Sequence, residues 1–138
     1  MNLRQLDAPN KIQRQLYETE QTKKTLLQKR RDFMTRCATA FSRAPLKLEL
    51  AGQRELVWRK RTAVTSGPQS TVEFHTPAGR RFLGSLAPHV LERYIELDAE
   101  RILLNMQIRI VTAQVLSLKQ YLVKHQANQV LARQGVRQ

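Results

Sequence analysis

Three groups of cations are the residues of this sequence best suited to chemistry: Lys29, Arg30, Arg31 and Arg36; Arg59, Lys60 and Arg61; Arg80 and Arg81. Lys and Arg displace counterions from a phosphate backbone, and Arg adds two parallel hydrogen bonds to phosphate oxygens. These groups are an unbalanced surplus. Twenty-four Lys and Arg stand against eleven Asp and Glu, a formal charge of +13, and such an excess favours an anionic partner. Residues 10–43 carry nine cations and three acids, and residues 44–84 carry seven and three. The excess therefore lies in the first two-thirds of the chain.

Trp58 beside Arg59 has two readings, a stacking platform for an unpaired base or a large core side chain on a half-buried strand; the second carries more weight. Glu92, Glu96 and Glu100 recur every fourth residue on one helix face, and Asp98 is near them. Carboxylates at that spacing could hold a cation, but pairing with the basic first helix across an antiparallel hairpin is the simpler arrangement. His75, His89 and His125 fall in three separate segments without ligand spacing. Cys37 is the only cysteine; it lies on an apolar stripe and excludes an intrachain disulfide or cysteine-rich zinc site. No phosphate-cradling glycine loop, nucleophile elbow or zinc-protease motif occurs. The expectation is a binding protein without catalytic activity, metal or cofactor.

The elements that must position these residues are two helices flanking a short β region. Residues 10–43 contain no Gly or Pro, and Asn10 is placed to cap a long helix. Ile12, Leu16, Thr19, Lys23, Leu26, Arg30, Phe33 and Cys37 share one stripe, more apolar in its second half. Pro45 stops that helix. Leu46, Leu48 and Leu50 then alternate with Lys47 and Glu49, the two-residue period of a strand. Further runs at 55–64 and 70–76 complete a three-stranded antiparallel meander over 46–76. Pro77, Gly79 and Gly84 break the chain, and a second long helix occupies 86–134 with Gly135 as its terminator. The fold expected is α+β, mainly α: one domain of two long antiparallel helices joined by the small meander.

The second helix is apolar on two faces. Ile95, Ala99, Ile102, Met106, Ile110 and Ala113 form one stripe, and Leu104, Ile108, Val111, Val115, Leu118 and Leu122 another. With the sheet over the first, Leu104, Ile108, Val111, Val115 and Leu118 are left as the interface of a homodimer or higher oligomer. Asn105, Gln107 and Arg109 interrupt the most apolar stretch, so a membrane span is not expected, and the opening residues do not read as a secretory signal. A cytoplasmic protein follows.

The run Glu100-Arg101-Ile102-Leu103-Leu104-Asn105-Met106-Gln107-Ile108, with Val57-Trp58-Arg59, resembles an uncharacterised family of small proteins encoded by bacterial integrative and conjugative elements. The resemblance implies a bacterial protein concerned with DNA maintenance or transfer and carries no catalytic residue. The leading expectation is an accessory nucleic-acid-binding protein with little base specificity, DNA ahead of RNA. Two alternatives stand beside it: a helical scaffold or chaperone-like protein on the prefoldin plan, and a ribosome-associated RNA-binding protein. Against the former, a client-holding tip would expose apolar residues where this chain has Gln21, Lys23 and Lys24.

Overall fold

The computed structural model describes residues 3–40, 45–60 and 71–135. Its elements in chain order are α1 (Leu3–Ala40), β1 (Leu46–Ala51), β2 (Glu55–Lys60), β3 (Thr71–Val72), α2 (Pro77–Gly84) and α3 (Pro88–Gln134). The architecture is mainly helical α+β, with α1 and α3 packed antiparallel and a three-stranded antiparallel sheet ordered β1-β2-β3. The chain forms two compact units, a helical one of residues 1–27 with 107–138 and a sheet-bearing one of residues 28–106. Among the described residues, no helix is long and apolar enough to cross a membrane.

The four-three stripe of α1 is its packed face. Ile12, Leu16, Thr19, Lys23 and Arg30 are half-buried, whereas Leu26, Phe33 and Cys37 are buried. The helix begins earlier than Asn10 and runs through Pro9 to Leu3, because a proline φ fits helical geometry and forfeits one backbone hydrogen bond. Asn10 is therefore an interior residue and not a cap.

β1 and β2 pair in full, from Leu46↔Lys60 to Ala51↔Glu55. Gly52 (φ 57°) and Gln53 (φ 63°) are both left-handed, and Arg54 N–H donates to Ala51 C=O at 3.0 Å. Two positive φ values in succession match the right-handed twist of the strands they join. β3 is only two residues long and faces Trp58 and Arg59. The parts of the expected strands at 61–64 and at residue 70, with Arg61, lie outside the described residues.

α2 forms where Pro77, Gly79 and Gly84 predict a break in the chain. Thr76 is its N-cap, accepting from Gly79 N–H at 3.1 Å, and Pro77 sits in its first turn, the two signals of a helix start. Gly79 is required here. A Cβ at that position would lie 1.9 Å from the Glu73 carbonyl oxygen.

The sheet is held onto α3 by a polar set spaced i, i+3 and i+7: Asp98 and Arg101, both buried, and Asn105, half-buried. Trp58 Nε1–H donates to Asp98 at 2.9 Å, and Arg101 Nε–H donates to the same carboxylate oxygen at 2.7 Å. Arg101 also donates to the Leu56 carbonyl at 2.9 Å and to Glu73 at 3.3 Å. The Asn105 carboxamide accepts from Leu56 N–H at 2.9 Å and donates to Leu56 C=O at 3.0 Å. β3 ends before reaching Leu56, so a side-chain amide takes the place of the missing strand and satisfies backbone groups that would be costly to leave unpaired. At the other edge, the Tyr94 hydroxyl accepts from Leu46 N–H at 3.3 Å and donates to Leu46 C=O at 3.1 Å.

The core of the sheet-bearing unit is aromatic. Trp58 stacks on Phe74 with ring centres 5.9 Å apart and meets Tyr94 edge-on at 5.4 Å, among Phe33, Cys37, Leu46, Leu56, Leu83 and Leu97. The helical unit has a smaller aliphatic core of Leu26, Ile108 and Val111, with Leu27 against it.

The two apolar faces of α3 are assigned opposite to expectation. Leu104, Ile108, Val111 and Val115 are at most 7% exposed within the single chain and Leu118 is half-buried, whereas Ile95, Ile102, Met106 and Ile110 are about half exposed. Packing against α1 accounts for this: Leu26 takes the Ile108 face, and the sheet reaches α3 through Tyr94, Asp98, Arg101 and Asn105. Leu104, Ile108, Val111 and Val115 are thus core residues and not an interface.

Candidate nucleic-acid interface

All the described cations of the three clusters belong to the sheet-bearing unit. Strand geometry divides the second cluster. Successive strand side chains point to opposite faces. Arg59 is level with Lys47 and pairs with Glu49 at 2.8 Å; Glu49 also holds Lys47 at 2.7 Å. Lys60 takes the other face, where its ammonium lies 5.7 Å from the centre of the Phe82 ring on α2. Lys60 is thereby brought beside the helix that carries Arg80 and Arg81, twenty residues further along the chain. Arg80 and Arg81 are exposed, and no carboxylate among the described residues pairs with Lys60, Arg80 or Arg81.

The α1 cluster is also divided. Arg36 is committed to α3, donating to both oxygens of Glu100 at 2.7 and 3.3 Å, and that hydrogen bond raises its pKa above the usual arginine value. Partial burial and the neighbouring Arg31 act on Arg30 in the opposite direction. Arg31 donates to Gln28, at 2.7 and 3.3 Å, and Lys29 is exposed. Lys29, Arg30 and Arg31 have no carboxylate partner among the described residues. The cations with no carboxylate partner among the described residues are therefore Lys29 to Arg31 on α1 and Lys60, Arg80 and Arg81 around α2, while Arg36 is paired with Glu100 and Arg59 shares Glu49 with Lys47.

No family model, no curated protein and no solved structure matches this chain.

Trp58 is 1% exposed and hydrogen-bonded at its only polar atom, so it has no face to offer a base, and the stacking role is withdrawn. Of the acidic residues on α3, Glu100 pairs with α1 as expected, Glu96 lies 4.0 Å from Arg93 of its own helix, and Asp98 is consumed by Trp58 and Arg101. No group of three His, Cys, Asp or Glu among the described residues could hold a metal. His75 lies 3.9 Å from Glu73, His89 is exposed, and His125 stacks on Tyr121 at 5.9 Å. Burial pushes the Cys37 thiol up to about 11, which suppresses the reactive thiolate.

Sequence reading missed the Asp98, Arg101 and Asn105 set. Arg101 and Asn105 join α3 to the sheet at Leu56, and Asp98 joins it at Trp58.

Proposed function

We propose that this chain binds DNA through its phosphates, with Lys60, Arg80 and Arg81 as the principal contacts and Lys29, Arg30 and Arg31 as a second cationic group. The observation that carries the reading is the seat of Lys60 over Phe82, which brings Lys60 beside the helix that carries Arg80 and Arg81, three cations with no carboxylate partner among the described residues. A cluster paired within the chain would have to break those pairs before meeting phosphate; this one does not. The sequence holds no recognisable helix-turn-helix, zinc-finger or glycine-aromatic RNA-binding motif, so the affinity expected is electrostatic and depends weakly on sequence. The resemblance to mobile-element proteins supports DNA over RNA, with maintenance or transfer of such an element as the process served.

The test is the slope of log affinity against log salt, measured with single- and double-stranded DNA. Arg80→Gln with Arg81→Gln lowers the double-strand slope by about two, one for each lost phosphate contact. Arg59→Gln lowers it by less than one, because Arg59 is held by Glu49, which it shares with Lys47. An unchanged slope in the double variant overturns the assignment, and absence of binding to DNA at moderate salt overturns the function.

A further inference from the structure

α1 covers one stripe of α3 in the helical unit and leaves a second bare. Ala113, Leu116, Gln120, Val123, Ala127 and Val130 follow one another at intervals of three and four residues, and all six are exposed. Leu116 is 57%, Val123 66% and Val130 43% exposed, with Leu131 beside them at 53%. Isolated exposed aliphatics need no explanation, but five turns of a strict three-four repeat do. That period is the mark of a seam packed against another helix, since it keeps the same face turned to a partner along the whole contact. The neighbouring seam, containing Ile108 and Val111, has its partner in α1, where Leu26 fills it. The second seam has no packed partner among the described residues from Ala113 to Ala127, and at Val130 it borders a groove lined also by Pro9, Asn10 and Gln13 of α1.

We infer that the bare seam from Ala113 to Val130 is the site where a second copy of this chain docks, with its own α3 antiparallel to the first. Under a two-fold axis between residues 121 and 122, Leu116 faces Ala127 of the second copy, Ala113 faces Val130, and Gln120 faces Val123. Each of the outer layers sets a large side chain against a small one, so the axes can keep an even separation without a void or a clash. A parallel arrangement would place leucine on leucine in one layer and alanine on alanine in another. The seam itself contains no charged residue; Lys119 and Lys124 lie on its two flanks, and Lys119 is directed to Glu20 of α1 at 3.7 Å. Burying three layers and their flanks in both copies removes on the order of 1,000 Å² from water, the lower bound for a specific interface, and a self-complementary patch is what a two-fold dimer requires.

The experiment is sedimentation velocity on the full chain at micromolar concentration, with two sets of variants. The expected species is a dimer of twice 16.0 kDa, converted by Val123→Glu to a monomer of unchanged helical circular dichroism, because that side chain makes no core contact in its own chain. Leu116→Cys and Ala127→Cys chains, mixed and oxidised, form a covalent dimer that neither variant forms alone. Cys37, buried at 2% exposure, does not compete. A monomeric wild-type chain overturns the inference and assigns the seam to a foreign helix. A dimer that survives Val123→Glu also overturns it, as does cross-linking of either cysteine variant by itself.

Discussion

The two units of this chain are built from the same two helices and held by different means. In the sheet-bearing unit, Trp58, Phe74 and Tyr94 interlock, and Asp98, Arg101, Asn105 and the Tyr94 hydroxyl each have named backbone or side-chain partners on the sheet. In the helical unit, Leu26, Ile108 and Val111 form a narrow core, and the Glu20–Lys119 pair lies in solvent. A helix pair with an aliphatic seam can slide or open at modest cost, whereas directional bonds to buried groups permit one register. The comparison separates what holds the fold from what remains available to a partner: the sheet-bearing unit carries the cations with no carboxylate partner among the described residues, and the lightly packed unit carries the bare seam.

The largest effect that could break this comparison is expected at Trp58. Trp58→Ala empties the centre of the aromatic cluster and leaves Asp98 without its indole donor, at a cost of about 3–5 kcal/mol. Chemical denaturation checks it. A change below about 1 kcal/mol would show that the sheet does not anchor its unit. Arg101→Met belongs with it. Removing one member of a buried charge pair leaves Asp98 and the Leu56 carbonyl short of partners, for about 3–5 kcal/mol.

Ile108→Ala is the matched change in the helical unit, expected near the lower end for such truncations, about 2 kcal/mol, because the site is narrow and bordered by solvent. Amide hydrogen exchange sharpens the contrast. Amides of residues 12–27 and 111–125 exchange through local opening, faster than those of 94–105, and equal protection in both regions would remove the distinction between the units.

Much of this organisation was legible in the sequence, and the part that was not has definite physical causes. The α1 stripe from Ile12 to Cys37, the alternation from Leu46 to Leu50 and the stop at Gly135 are local signals, and the structure follows them. α2 was also legible, since Thr76 followed by Pro77 is a cap and first-turn pair, although Gly79 and Gly84 by themselves signal a break. The facing of α3 was different. Its two apolar stripes have the same period and lie two positions apart, so hydropathy cannot say which one α1 covers. What decides is Asp98, Arg101 and Asn105, polar residues on the side the sheet occupies. Polar residues inside an apolar stretch argue against a lipid-facing span, and here they also mark the attachment of another element. Convergence of Lys60 with Arg80 and Arg81 rests on the Phe82 contact, and adjacency in sequence pointed instead to Arg59, which strand alternation sends to the opposite face.

The smallest effect, and the sharpest test of which cations are available, is expected at Arg36. Its guanidinium grips Glu100 with two hydrogen bonds, yet the two side chains are 58% and 40% exposed. Solvent and salt screen such a pair, and holding two long side chains in one geometry costs entropy. A double-mutant cycle of Arg36→Gln and Glu100→Gln should return a coupling of about 0.2–1 kcal/mol. The same variants also bear on function. If Glu100 neutralises Arg36, Arg36→Gln leaves the salt slope of DNA binding nearly unchanged, while Glu100→Gln releases a cation and steepens the slope by up to about one. A steeper slope in the glutamate variant would mean that intrachain pairing, and not exposure, decides which arginines meet phosphate. A shallower slope in the Arg36 variant would place Arg36 among the phosphate contacts and make the α1 cluster the primary one.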